Sequence, residues 1–283
     1  MSEKNSTFAI RMVSEVRNIN NRQRLTLRLG SGALAVSLVT PNVDDDSAIE
    51  YETYVMKSGV SEAANLRMAI KEGDLLSRKM RKIRVMVPSG VLMVPINLFD
   101  HESKDMLYRH SFPHTTDCMV ESLVVPYLNC VALFAVNKDT NTVLTDNFED
   151  VKYMPAASPV WRHLHRRSEV GYNHKLYAYF ADEKLTILSF SKNRFRFYNV
   201  FQIEGEQDAM YFTLYVWQLL GYNQEKDELH IVSDRRDMGA FADKAREFVK
   251  NVYLVNAAAD YNTSLFKDYR QMPYDMLLLA QDR

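Results

Sequence analysis

The 283-residue chain has only two cysteines, Cys118 and Cys130. That excludes a disulfide-stapled scaffold, and both thiols sit in apolar, strand-like contexts that suit buried residues in a reducing compartment. Charge of one sign is lacking too: 35 basic residues face 36 acidic ones, for a net charge of -1. No global field draws the molecule to nucleic acid or to an anionic membrane. No run of about 18 uncharged apolar residues occurs. The opening MSEKNSTFAIRMVSEVRN has no apolar stretch followed by a small-residue cleavage site, so a cytoplasmic location is expected. Low-complexity segments, short-period repeats and Ser-His-Asp, GKS/GKT or HExxH signatures are likewise missing. What is present is apolar material, 47% of the residues, enough to build a sizeable core in one large domain or two of about 140 residues.

A longer repeat lies in the order of elements. Leu25–Leu29 and Ala33–Val39 alternate about the turn Gly30-Ser31-Gly32 and predict a hairpin, with Ile49–Met56 as a third strand. Ser61 and Gly73 bracket a helical pattern, and KIRVMV is a short buried strand stopped by Pro88. In the second half, Leu176–Phe180, Leu185–Phe190 and Phe195–Ile203 form three consecutive strands joined by polar turns. A helix closed by Gly221, strand ELHIVS, helix MGAFADKAREFVK and strand NVYLVN follow. The first half adds material between its pieces: VLMVPINLF, a helix at Glu102–Arg109, strands Cys118–Val125 and Val131–Val136, a helix at Asp139–Asp146 and strand VKYMPA. Three antiparallel strands followed by helix, strand, helix and strand give a mixed sheet with right-handed crossovers.

This order, with phrases such as RVMVPSGVLMVPINLF where a strand ends at a Pro-small-Gly turn before another strand, resembles the ribonuclease H-like, actin-like ATPase superfamily. Over roughly residues 20–260 the chain resembles a bacterial family of unknown function, mostly from Bacteroidetes, with an actin-like ATPase fold. It is also similar in layout to the cytoplasmic domain of type II secretion protein L and to type IV pilus protein M. The resemblance implies an α/β fold of two ribonuclease H-like lobes, each a mixed sheet of hairpin strands plus crossover helices. Residues 1–170 make the first lobe, and 171–283 the second with a C-terminal tail.

An active ATPase of that superfamily carries three devices. The first hairpin offers Asp-x-Gly, whose Asp holds the metal while backbone amides meet phosphate. The matching residue is Arg28, a donor without the lone pairs that magnesium needs. The second hairpin turn, expected to be glycine-rich, is Ala181-Asp182-Glu183-Lys184, and the third place holds Asp234-Arg235-Arg236-Asp237 instead of a Gly-Gly turn. Gly30, Ser31 and Gly32 therefore read first as a tight hairpin and only second as a residual phosphate loop.

Other clusters have plain structural readings. His110, His114, Asp117 and Cys118 are metal-ligand types without paired spacing, and read as a loop. Arg162, His163, His165, Arg166 and Arg167 flank Trp161 on an amphipathic helix. Arg78–Lys82 reads as a solvated loop. KNRFRFYNVF places arginines and phenylalanines on opposite strand faces. The tail YNTSLFKDYRQMPYDMLLLAQDR either packs back as a helix or exposes Met276, Leu277, Leu278 and Leu279 as a docking patch. The sum is an expectation of no catalytic residue, no metal and no cofactor. The expected role is a scaffold or adaptor binding another protein or itself, without nucleic acid or membrane insertion. The alternative is a weak nucleotide-binding or ATPase switch using ATP in the cleft between the lobes.

Overall fold

A computed structural model describes residues 23–40, 48–191, 194–233, 238–255 and 272–281. Sheet I contains β1 (Arg24–Leu29), β2 (Ala33–Thr40), β3 (Ala48–Val55), β4 (Lys82–Val87) and β8 (Asp150–Pro155), in the order β3-β2-β1-β4-β8. Sheet II contains β9 (Lys175–Ala181), β10 (Lys184–Ser191), β11 (Arg194–Gln202), β12 (Glu228–Ser233) and β13 (Asn251–Val255), in the order β11-β10-β9-β12-β13. Counted within each sheet, both orders are 3-2-1-4-5. The two hairpin systems thus lie in separate sheets, each continuing from its first strand to a parallel fourth. A third sheet, β5 (Val91–Pro95), β7 (Cys130–Asn137) and β6 (Cys118–Val125), is inserted in sequence between β4 and β8 of sheet I.

The chain separates into two compact units. One combines the residues up to Val87 with Asn137–Met154; the other combines Pro88–Val136 with Pro155–Asp282.

In the first unit, α1 (Glu62–Glu72) forms because apolar residues recur at helical spacing and both ends are capped. Ser61 Oγ accepts the Ala64 N–H at 3.3 Å, and Ala63, Leu66 and Ala69 turn inward. Gly73 ends the helix against Ala69, whose carbonyl oxygen would lie 2.6 Å from any Cβ there. The short helix α2 (Asp74–Ser77) is capped from β3: the Glu52 carboxylate accepts the Asp74 and Leu75 amides at 3.2 and 2.9 Å. Beside it, Arg78 makes a fork to Glu50 with both contacts at 2.8 Å. Arg78 is thus tied to the sheet edge and is not the simply solvated loop residue that the charge run suggests. Helix α4 (Lys138–Asn147) packs on α1, and Thr140 donates to Glu62 at 2.8 Å.

In the second unit, the third sheet packs Val94, Val120, Val131 and Leu133 against Tyr108 of α3 (Lys104–Ser111). The Pro88-Ser89-Gly90 turn is fixed by this packing. Tyr108 donates to the Gly90 carbonyl at 2.9 Å, and a Cβ on residue 90 would fall 2.5 Å from the Phe112 ring. Sheet II is covered on one face by α6 (Glu206–Leu219) and α7 (Gly239–Arg246), around Leu176, Ile187, Trp217, Leu229, Ile231 and Phe241. Toward the other face lie α5 (Ser158–Ser168), packed on β10, and α8 (Tyr274–Gln281), packed on α5.

One expectation changes here. A bulge between Ser189 and Phe190 shifts the β10–β11 register, so Phe195 pairs with Phe190 while Phe197 pairs with Ser189. The extra residue, Arg196, puts Phe195 and Phe197 on opposite faces, which strict alternation does not allow. Of the two readings of the tail, the helix packed back on its own unit is the one found: Met276, Leu278 and Leu279 are buried in α8.

Candidate functional site

The equivalent β1–β2 and β9–β10 turns are where the resemblance places phosphate contacts. In the first, the Gly32 amide donates to the Gly30 carbonyl at 3.0 Å, and Gly32 takes φ +107°, a conformation that favours glycine. Gly30 is favoured for a different reason. A Cβ there would lie 3.0 Å from the Ala33 carbonyl oxygen and 3.1 Å from Nη1 of Arg28. Arg28, 5% exposed, therefore folds its guanidinium beside the turn glycine. Ser31 sits exposed at the tip.

The second turn holds no glycine. Asp182 and Glu183 take φ 49° and 58°, two successive left-handed residues that make a primed two-residue hairpin. Their carboxylates stand where bare backbone would have to approach an anion. The third position, residues 234–237, lies outside the described residues.

The other motifs resolve into supports. Arg109 donates to the Thr115 carbonyl at 2.6 Å and the Cys118 carbonyl at 3.0 Å, tying together the loop that carries exposed His114 and Asp117. His110 is exposed on α3. Among the described residues no group of three or more His, Cys, Asp or Glu side chains could hold a metal ion. On α5, Val160, Trp161 and Leu164 turn inward with His165, which lies between the Tyr127 and Phe190 rings, while Arg162 and Arg166 point out.

A buried polar cluster that sequence patterns did not flag sits at the opposite end of sheet II. Six residues of β9 separate it from the turn, about 20 Å at strand rise, so it is not part of the phosphate-turn geometry. Lys175 donates to the Arg167 carbonyl at 3.1 Å and the Val170 carbonyl at 2.5 Å, and lies 4.0 Å from Glu228. Glu228 also accepts the Asn173 amide at 3.1 Å and His230 Nε2–H at 2.9 Å. Burial pushes the Glu228 carboxyl up, but these hydrogen bonds and the Lys175 charge outweigh it and hold it below the usual carboxylate range. The period-two alternation of ELHIVS does mark Glu228 and His230 as facing one way. It carries no sign that Lys175 meets them from a neighbouring strand.

His230 lies between the rings of Tyr177 and Tyr253, centroids 4.9 and 5.1 Å away. Its Nδ1 is buried without a partner. Burial holds its pKa below the ordinary histidine value, against the pull of Glu228 and aided by the Lys175 and Arg167 charges. The folded state thus binds a proton less readily than the unfolded chain. The stability this confers is complete above the unfolded value of about 6.5 and is lost as pH falls below it toward the folded pKa. Melting temperature is expected to fall between pH 7.5 and 5.5, and to fall less in His230→Gln. Equal slopes in the two proteins would show that His230 is not the titrating group.

Two sheets of the same 3-2-1-4-5 order, each starting from a hairpin, define the actin-like ATPase fold. A crystal structure from Bacteroides thetaiotaomicron VPI-5482, a protein with actin-like ATPase fold and unknown function, superposes with TM-score 0.80 at 24% identity, over 93% of this chain and 96% of that one. The type IV pilus biogenesis complex PilM–PilN matches with TM-score 0.55 at 12% identity, over 91% and 96%. Residues 15–252 match the family DUF3822, described as a protein of unknown function, and the chain belongs to that family. No curated protein matches the chain. No helix among the described residues is long and apolar enough to cross a membrane.

Proposed function

We propose that this protein is a non-catalytic actin-like scaffold or adaptor that binds another protein in the cytoplasm. The observation that carries the proposal is Arg28, whose guanidinium lies beside Gly30 at the strand position where an ATPase of this fold needs a metal-holding carboxylate. A cation there cannot ligate magnesium. Asp182 and Glu183 add repulsion at the second turn. The PilM neighbour is in complex with PilN, which supports a protein as the ligand of such a fold. The two free cysteines suit a reducing compartment.

The test is a thermal melt of the whole protein with and without ATP and magnesium. A site filled at a hundred times its Kd would add about 2.7 kcal/mol, which raises Tm by several degrees. No saturable shift and no turnover are expected. A magnesium-dependent shift or ATP turnover would overturn the proposal in favour of a nucleotide switch. With no nucleotide effect, the remaining measurement is affinity capture of the full chain from its native cells, with a stoichiometric protein partner expected.

A further inference from the structure

One carboxylate serves two nitrogen groups at the end of sheet II. Glu228 accepts from His230 Nε2–H at 2.9 Å, and the Lys175 ammonium stands 4.0 Å away. A carboxylate acceptor fixes the proton of the neutral imidazole on Nε2 and leaves Nδ1 bare. That Nδ1 is buried without a hydrogen-bond partner. A second proton would put an N–H where nothing accepts it and add a buried positive charge. The surroundings give no relief. β9 presents Lys175 and Tyr177, α5 brings the charge of Arg167, and β13 presents Tyr253; Glu228, on β12 itself, is the one anion acting on the ring among the described residues.

Strand β13 stands between this ring and water. Tyr253 lies directly opposite His230 in the register, its ring is 5.1 Å from the imidazole, and it is 47% exposed. β13 ends the strand order of sheet II among the described residues, and its buried side chains are Val252 and Val255 alone, whereas β9 buries six of its seven. A short edge element with so little buried area opens locally at a free energy well below that of global unfolding. We propose that β13 is a proton-operated flap: it lifts from β12, water reaches His230, and the proton that the imidazole then takes up holds the strand open. Lifting bares the backbone N–H and C=O groups of β12 that pair with β13, so the device turns acid into an open strand edge. Burial, above all, keeps the ring of the closed form below the ordinary histidine value, and the open form returns it to about 6.5. The open form therefore binds the proton, and its population grows as pH falls. Between pH 7.5 and 5.5 the gain is at most about tenfold. This inference goes beyond the adaptor proposal and does not depend on it.

Amide hydrogen exchange of the full chain at pH 7.5 and 5.5, read as protection factors, tests it. In wild type the β13 amides are expected to lose protection on acidification, by up to about tenfold, while β9 and β10 keep theirs. His230→Gln retains a donor for Glu228 but takes up no proton, so its β13 protection is expected to be the same at both pH values. Tyr253→Ala uncovers the ring while the strand is still paired. Its β13 protection is expected to be lower at both pH values and to change little between them, because proton uptake no longer requires opening. Tyr253 is half-exposed, so this variant carries the test should His230→Gln fail to fold. A wild type whose β13 protection does not change with pH overturns the flap. So does an equal loss in β9 and β10, which would make the event global, or an acid loss that persists undiminished in either variant.

Discussion

Ending the chain at Tyr261 is expected to unfold the second unit. The deletion removes α8, where Tyr274, Met276, Leu278 and Leu279 are buried. The Tyr274 ring lies 6.1 Å from both His163 of α5 and Tyr179 of β9, so the helix covers the strand face as well as α5. Burying one such side chain contributes about 1.5–3 kcal/mol. Four together reach roughly 6 kcal/mol or more, a large share of the 5–15 kcal/mol that holds a typical domain. Cutting the tail also bares the inner face of α5, which adds to the loss. A thermal melt and limited proteolysis check this. The shortened chain is expected to lose its cooperative transition, or to be cleaved rapidly within 155–255. A truncated protein melting at the full-length temperature would mean that α8 contributes no stability and that the tail is free for another role.

Most of the fold was legible because its elements are local and its punctuation is strong. Ser61 and Gly73 bracket α1 where the pattern places them, and the first hairpin pairs Leu29 with Leu34 across Gly30–Gly32 as alternation requires. The repeated order of strands and helices pointed to two sheets, and both share one topology. What sequence could not give depends on contacts across strands. The register shift at Ser189/Phe190 is set by packing on both faces of β10, and no local residue announces it. At the two hairpin turns the residue types are plain in the sequence. Arg28 and the Asp182-Glu183 pair stand out as letters, whereas the guanidinium lying beside Gly30 is visible only in three dimensions. The polar cluster of sheet II was illegible for the same reason. Lys175 and Glu228 lie 53 positions apart and meet only because β9 and β12 are neighbours, with Lys175 directly opposite Glu228 in the register.

Lys175 therefore offers the sharpest single-residue test. It is buried, 6% exposed, at the start of β9, a place where an ammonium is costly unless every donor is used. Two donors go to the Arg167 and Val170 carbonyls, at and just beyond the end of α5, and Glu228 lies 4.0 Å away. Lys175→Met keeps the length of the stem and removes the charge and the donors. Two carbonyls then lose the Lys175 donor, and the Glu228 carboxylate loses the ammonium beside it while Asn173 and His230 remain. Breaking one side of a fully buried ion pair costs about 3–5 kcal/mol. Glu228 is partly exposed and retains two hydrogen bonds, so the expected loss is lower, about 2–4 kcal/mol, or a fall in Tm of roughly 5–12 °C. A merely packing role for Lys175 would leave the acid limb of the stability profile unmoved. The electrostatic role predicts more. Without the lysine, Glu228 takes up a proton at higher pH, so its contribution, present above the unfolded carboxylate value and lost as pH falls through the folded one, disappears earlier. The double variant Lys175→Met/Glu228→Gln is expected to recover part of the lost stability, because no uncompensated carboxylate remains. A single variant melting within about a degree of wild type, or a double variant no better than the single, would refute this account of how β9 is held to the end of α5.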